Sequence, residues 1–186
     1  MAERIDVAVL VGSLRPKGYS NQLAHALIAL SPERLAPHVV AIGDLPLYSE
    51  DLETAPPAAW LRFRDTVRAA RAVLFVTPEY NRSIPGGLKN AIDVGSRPYG
   101  QSVFFGKPAA VVSQSPGAVG GFGAHHALRQ TLVFLDMPVL QQPERYISRS
   151  NELFDEKGVV KSEETRKFLS GFMIAFAGWI DRFADR

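Results

Sequence analysis

The 186-residue chain contains no cysteine. That excludes disulfides, thiolate nucleophiles, Cys-ligated zinc, iron–sulfur clusters and thioether links to a cofactor. Redox chemistry, if present, must run on a bound cofactor without thiol help. There is also no uninterrupted apolar run of about 18 residues, so no transmembrane helix is expected. Met1-Ala2-Glu3-Arg4-Ile5-Asp6 carries charges where a secretory leader needs apolar residues, and a cytoplasmic location is the expectation. Charge of one sign is scarce too: 21 Lys and Arg stand against 19 Asp and Glu, a net +2. These charges are interspersed, which argues against nucleic-acid and membrane-surface partners. What is there is a globular composition, 46% hydrophobic and 22% charged. It suits one domain over residues 1–186, with no linker or internal repeat.

Apolar runs alternate with helical stripes along the chain. Ile5–Val11 reads as a strand buried on both faces, followed by a helix over Asn21–Leu30 with Leu23, Ala24, Leu27 and Ile28 on one side. His38–Ile42 is expected as the second strand, and Gly43–Pro57 as a loop. Trp60, Phe63, Val67 and Ala70 mark the next helix, and Ala72–Thr77 the third strand. Pro85 opens a helix to about Val94, with Ser83 as its cap. Ala109–Ser113 is the fourth strand, Ala124, Leu128, Thr131 and Leu135 mark a helix, and Met137–Leu140 is the expected fifth strand. Phe168, Phe172, Ala175, Trp179 and Phe183 are expected on the buried face of the last helix. Alternating strands and helices predict an α/β, flavodoxin-like, five-stranded parallel sheet in the order 2-1-3-4-5 with helices on both faces. Ligands of such sheets sit beyond the carboxyl ends of the strands, which singles out the loops after strands one, three and four.

The first loop runs Gly12-Ser13-Leu14-Arg15-Pro16-Lys17-Gly18-Tyr19-Ser20-Asn21 into a helix. A helix N-terminus with Ser, Asn, Arg and Lys around it suits a phosphate. Neither Gly-Lys-Ser/Thr nor Gly-x-Gly-x-x-Gly is present, and a capped turn with solvated bases is the plainer alternative. The second loop runs Thr77-Pro78-Glu79-Tyr80-Asn81-Arg82-Ser83-Ile84-Pro85-Gly86-Gly87-Leu88-Lys89-Asn90. Its prolines stiffen it, its glycines permit close approach, and Tyr80 and Asn81 suit a flat ring with polar edges. Tyr80 alone reads equally as a cover over the core. The third loop, Ser113–Gly123, is rich in glycine, and either meets ring oxygens with its amides or is simply mobile.

Other constellations carry less. His125 and His126 are neighbours on a helix and point about 100° apart, poor geometry for a metal. Ser113-Gln114-Ser115-Pro116-Gly117 lacks the first glycine of a nucleophile elbow. Strand one ends Val9-Leu10-Val11-Gly12-Ser13 without the carboxylates that a phosphorylated receiver domain needs for magnesium. Phe104-Phe105 reads either as core or as a dimer contact walling the ligand site.

Gly12-Ser13-Leu14-Arg15, Pro78-Glu79-Tyr80-Asn81 and Pro85-Gly86-Gly87-Leu88-Lys89-Asn90-Ala91-Ile92-Asp93 together resemble the NAD(P)H-dependent FMN reductase family, in its bacterial quinone and chromate reductase branch. Leu128-Arg129-Gln130 and Val133-Phe134-Leu135-Asp136 extend the likeness to roughly residues 5–145. The resemblance implies noncovalent FMN, with its phosphate among Ser13, Leu14, Arg15, Ser20 and Asn21. It implies a flavin ring against Pro78, Glu79, Tyr80, Asn81 and Arg82, near Ser115 and Gly117. Gly18 and Ser20 stand where members often carry Ser and Asn, and Gly123 where close relatives carry larger polar residues. Also implied are NADPH or NADH as donor, and quinones or other small acceptors (chromate, azo compounds, ferric complexes) as partners. A homodimer through the Pro85–Ser96 helix, or a tetramer, is implied as well. No side chain is expected to act as catalytic acid or nucleophile, because the flavin carries the chemistry. The competing expectations are a flavodoxin-like carrier serving protein partners and a flavin-free binding protein on the same sheet.

Overall fold

A computed structural model describes residues 4–183; residues 1–3, half of the charged N-terminal stretch, and residues 184–186 lie outside the described residues. Five strands, β1 (Ile5–Val11), β2 (Leu35–Val39), β3 (Ala72–Pro78), β4 (Ala109–Gln114) and β5 (Arg145–Ile147), form one sheet in the order β2-β1-β3-β4-β5. Every adjacent pair is parallel. Helices α1 (Tyr19–Ala29), α2 (Ala58–Ala69), α3 (Gly86–Gly95), α4 (Phe122–Phe134) and α5 (Glu163–Asp181) make the crossovers and the closing layer.

The strands are apolar on both faces because both faces are covered. Ala8, Leu10, Val73 and Phe75 join Trp60, Phe63, Leu88 and Leu128 in a core under α2, α3 and α4. The alternate residues Val7, Val9, Leu74 and Val76 join Leu23, Leu27, Phe172 and Phe176 under α1 and α5. The period-2 alternation thus feeds two cores from each strand. No helix among the described residues is long and apolar enough to cross a membrane.

Several sequence expectations need correction. The second strand is Leu35–Val39, three residues before His38–Ile42. Val40 and Ile42 are apolar because they enter the core just past the strand. The fifth strand is Arg145–Ile147; Met137–Leu140 contributes only an isolated bridge from Val139 to Ala109. Ser83 is no cap: Pro85 precedes α3, and Ser83 instead pairs with Tyr80. On α4 the buried position is Leu132, next to the expected Thr131. On α5 the buried face is Leu169, Phe172, Met173, Phe176, Ala177 and Ile180, leaving Phe168 half-exposed and Trp179 on the flank.

His125 is fully buried on α4, and neither ring nitrogen has a hydrogen-bond partner. Its ring centroid lies 4.6 Å from that of Tyr146. Burial first, then the nearby Arg129 cation, lowers its pKa to about 4. The unfolded chain takes up this proton near pH 6.5. Between pH 6.5 and 4 the unfolded state therefore binds more protons, and stability falls as pH falls. His125→Phe is expected to remove up to about 3 kcal/mol of that acid-side loss. Urea melts at pH 7.5 and 5 check this: an unchanged difference between the two pH values would refute it.

Candidate active site

The three loops meet at the carboxyl end of the sheet, held by contacts that can be followed residue by residue. Gly12 passes so close to β3 that its amide donates to Val76 O at 2.8 Å, and a Cβ there would lie 2.8 Å from Thr77 Oγ1. Leu14, half-exposed, reaches α3, where a Cβ on Gly87 would sit 3.5 Å from its side chain. The first and second loops are thereby joined. Glu79 joins the second to the third: its Oε2 accepts from the Ala124 amide at 3.1 Å, in the first turn of α4. Its Oε1 accepts from Arg82 Nη1 at 2.9 Å.

Within the first loop, polar side chains point their capacity inward. The Asn21 amide donates to Ser13 O at 3.0 Å and to Arg15 O at 2.8 Å. Ser13 Oγ accepts from the Arg15 amide at 3.3 Å. With those carbonyls bound on the inside, the amides of Leu14, Lys17 and Tyr19 have no acceptor among the described residues. Gly18 closes the turn, and a Cβ there would meet Ser13 Oγ and Arg15 O at 3.0 Å. Unpaired amides at the start of α1, with Arg15 and Lys17 exposed beside them, form a cradle for a phosphate. Ser20 differs from expectation: it is fully buried, and its Oγ accepts from Gln114 Nε2 at 2.7 Å. It supports the loop from beneath and ties it to the end of β4.

The second loop is a hairpin turn. The Tyr80 amide donates to Ser83 O at 2.9 Å, and the Ser83 amide returns a bond to Tyr80 O at 3.0 Å. Asn81 and Arg82 at its tip are both left-handed, with φ of 51° and 65°. Two-residue turns of this hand favour Asn and Gly, so Asn81 suits its position and Arg82 is held there against preference. The amides of Asn81 and Arg82 have no acceptor among the described residues and are presented outward. Tyr80 is half-exposed above them, and Pro78 is buried at the strand end. Behind this loop, Asn90 accepts from the Tyr48 amide at 2.8 Å and donates to Leu45 O and Pro46 O.

In the third loop Ser115 Oγ accepts from the Gly117 amide at 3.0 Å. Gly117 is exposed and Ser115 half-buried. Gly120 and Gly121 are left-handed, and a Cβ on Gly121 would press on the backbone of Gln114. A Cβ on Gly123 would lie 3.0 Å from both Glu79 Oε2 and Arg82 O, so this glycine lets α4 approach the hairpin. Phe104 and Phe105 divide the two readings given above. Phe104 is core, whereas Phe105 is half-exposed in the turn before β4.

Sequence reasoning missed Gln114, Glu79 as a bridge to α4, and Arg149 beyond β5. A polar residue ending an otherwise apolar strand was the available signal for Gln114. Glu79→Ala would leave an orphan amide in the first turn of α4 and release Arg82. It is expected to lower stability by about 1 kcal/mol, as losing a helix cap does, and to weaken FMN binding five- to tenfold. Melting and flavin-fluorescence titration measure the two effects.

A doubly wound parallel sheet with a phosphate cradle after β1 and a rigid, amide-presenting hairpin after β3 defines a nucleotide-binding protein of the flavodoxin-like class. The residues present fit FMN: the cradle takes one phosphate, and the hairpin offers donors to a ring edge. The chain belongs to the NADPH-dependent FMN reductase family, whose model matches residues 5–152. It is an oxidoreductase with FMN as cofactor and NAD(P)H as donor. It is 60% identical over 181 residues to a quinone reductase of Pseudomonas putida, covering 97% of each chain. It is 46% identical to a 2-hydroxy-1,4-benzoquinone reductase of a Burkholderia species, covering 95% of this chain and 96% of the other. Among solved structures it is similar to FerB, the flavoenzyme NAD(P)H:(acceptor) oxidoreductase of Paracoccus denitrificans. That match has 44% identity and a TM-score of 0.91, covering 96% of this chain and 98% of the other.

Proposed function

We propose that this protein is a cytoplasmic, single-domain reductase of small quinones. The observation that carries the reading is the pairing of an unsatisfied phosphate cradle at α1 with the outward amides of Asn81 and Arg82. The names of its relatives point to the same acceptor class. Bound FMN would supply hydride transfer from NAD(P)H to the quinone, with one proton from water completing the hydroquinone, and the chain's residues would hold and orient it.

The chain's own residues bind and orient. Arg15 grips the cofactor phosphate with its forked guanidinium, and Ser13 and the Leu14, Lys17 and Tyr19 amides complete the cradle. Asn21 and Ser20 act behind them, fixing the loop's carbonyls and its anchorage to Gln114. The hairpin from Pro78 to Arg82 holds one edge of the ring, and the Ser115–Gly117 amides favour negative charge at the other. Donor and acceptor would use the same open site in turn. Initial rates at varied NADPH and 2-hydroxy-1,4-benzoquinone are expected to give parallel double-reciprocal lines, as ping-pong turnover requires; intersecting lines would contradict a shared site.

An electron carrier for protein partners is the second reading. A carrier docks through strong charge, and the net +2 of this chain argues against it. We also propose a homodimer through residues 85–96 and their neighbours. Tyr99, Phe105 and Phe134 line one surface groove with Ser96 and Leu135 at the end of α3, an apolar surface suited to a second copy. Light scattering at micromolar concentration is expected to return twice the chain mass.

A further inference from the structure

Arginines in this structure are almost all engaged. Arg34, Arg62, Arg64, Arg68, Arg82 and Arg166 are in ion pairs. Arg4, Arg71, Arg97 and Arg129 donate hydrogen bonds, and Arg145 and Arg182 lie over aromatic rings. Among the described residues only Arg15 and Arg149 have guanidinium groups with no protein partner, and both are exposed on the carboxyl rim of the sheet. Arg15 is accounted for by the cofactor phosphate. Arg149 is not.

The backbone at Arg149 is held in a conformation that side chains resist. Its φ is 47°, and only Asn81, Arg82 and Asp136 share a positive φ among described non-glycine residues. Three of the four therefore sit on the rim where the ligands bind, where retained strain accompanies function. Arg149 is strapped to the third loop on both sides. Ser148 Oγ donates to Ala118 O at 2.7 Å, the Arg149 amide to Gly117 O at 3.2 Å, and the Ser150 amide to Ser115 O at 3.1 Å. A long, flexible side chain is thus launched from a fixed point beside the ring-edge loop.

The first loop already offers a cradle for the cofactor phosphate, so the group that Arg149 suits is a second anion. Strand β5 lies three places from β1 in the sheet, about 14 Å at 4.8 Å per strand. Arg149 follows β5 and the first-loop cradle follows β1, so the two are launched from strands separated by β3 and β4. The anionic molecule that must also enter, on the reading that this is an NAD(P)H-dependent FMN enzyme, is the dinucleotide donor. We infer that Arg149 binds a phosphate group of the nicotinamide donor, either the pyrophosphate or the 2′-phosphate of NADPH. A forked guanidinium matches phosphate oxygens, which a lysine at the same point meets less well.

The test uses FMN-loaded wild-type protein and the variants Arg149→Gln, Arg149→Lys and Arg149→Gly. Arg149→Gln is expected to raise the NADPH KM about tenfold, the loss of one charge-assisted contact, and to weaken inhibition by 2′,5′-ADP if the 2′-phosphate is the group held. Arg149→Lys recovers part of the loss. Arg149→Gly shows the same rise in KM with a melting temperature at or above that of the wild type, because glycine adopts this φ freely. A rise for NADPH alone assigns the 2′-phosphate, and equal rises for NADPH and NADH assign the pyrophosphate. Unchanged KM for both donors overturns the inference, as does a tenfold loss of FMN affinity, which would place Arg149 at the cofactor. Wild-type protein that takes up no FMN would overturn the cofactor reading first, and this inference with it.

Discussion

Arg15→Ala is expected to raise the FMN dissociation constant ten- to hundredfold while leaving the apoprotein's melting temperature within about 2 °C. The asymmetry follows from where Arg15 sits. Its side chain is exposed and makes no hydrogen bond or ion pair among the described residues, so the fold loses little when it is cut back to Cβ; such surface changes fall within about 0.5 kcal/mol. Its backbone stays in place, because the carbonyl is held by the Asn21 amide at 2.8 Å and by the Gly18 amide at 2.9 Å. What disappears, on the proposed placement of the cofactor, is a guanidinium facing a doubly charged phosphate, and hydrogen bonds to charged groups are worth about 1.5–3 kcal/mol. Flavin-fluorescence titration at low salt measures the constant. Full flavin retention in dilute buffer would remove Arg15 from the phosphate site.

The largest loss of stability is expected from Arg64→Leu, about 3–5 kcal/mol. Arg64 is buried in α2, with its side chain 4% exposed and Glu53 at 16%. Its Nε donates to Val94 O at the end of α3, its Nη1 and Nη2 grip the Glu53 carboxylate, and its plane lies over Trp60. Leucine fills part of the volume but strands the carboxylate and the Val94 carbonyl away from water. At about 2–4 °C per kcal/mol for a domain of this size, the melting temperature falls by about 10 °C. Adding Glu53→Leu removes the orphaned charge and is expected to recover much of the loss, since a buried pair replaced by apolar groups often costs little. If the double variant is less stable than Arg64→Leu alone, the pair contributes more than its desolvation consumes.

The parts of the fold that sequence reveals are those where hydrophobic pattern and hydrogen bonding coincide. Strand β1 is legible to the residue because Ile5–Val11 is apolar on both faces and pairs on both edges. Strand β2 is not, because it is an edge strand: Pro37 sits within it opposite Val7, where a central strand would not tolerate proline. The apolar residues that suggested a later start, Val40 and Ile42, are packed without being paired. Strand β5 is only Arg145–Ile147, too short and too polar to register, while Met137 and Leu140 mimic a strand by filling the two cores. On α5, a stripe through Phe168 and Ala175 instead of Leu169 and Phe176 is turned by one residue, since from Phe168 to Ile180 nearly every position is apolar or small enough to qualify.

The site was legible as three loops and far less so as atoms. Glycine and proline at strand ends mark where backbone approaches a ligand, and this places Gly12, Pro78 and Gly117 correctly at the rim. Polar residues within those loops look alike in sequence, whether they face a ligand or brace the loop. Ser20 and Asn21 read as phosphate donors, yet in this structure they hold Gln114 and two carbonyls. Glu79 reaches α4 across a sequence separation of 45, which no local pattern encodes. Arg149 follows the strand that went unrecognised, and its left-handed backbone leaves no mark in a sequence without glycine at that position.

The central claim is that electrons from NAD(P)H pass through FMN held in this cradle to a small quinone. The most direct measurement is the visible spectrum of the purified protein, mixed with FMN if it emerges pale, then treated without oxygen with one equivalent of NADPH and afterwards with 2-hydroxy-1,4-benzoquinone. The account predicts a protein-bound flavin spectrum that NADPH bleaches and the quinone restores. A protein that binds no FMN, or bound flavin that NADPH leaves oxidised, would contradict it.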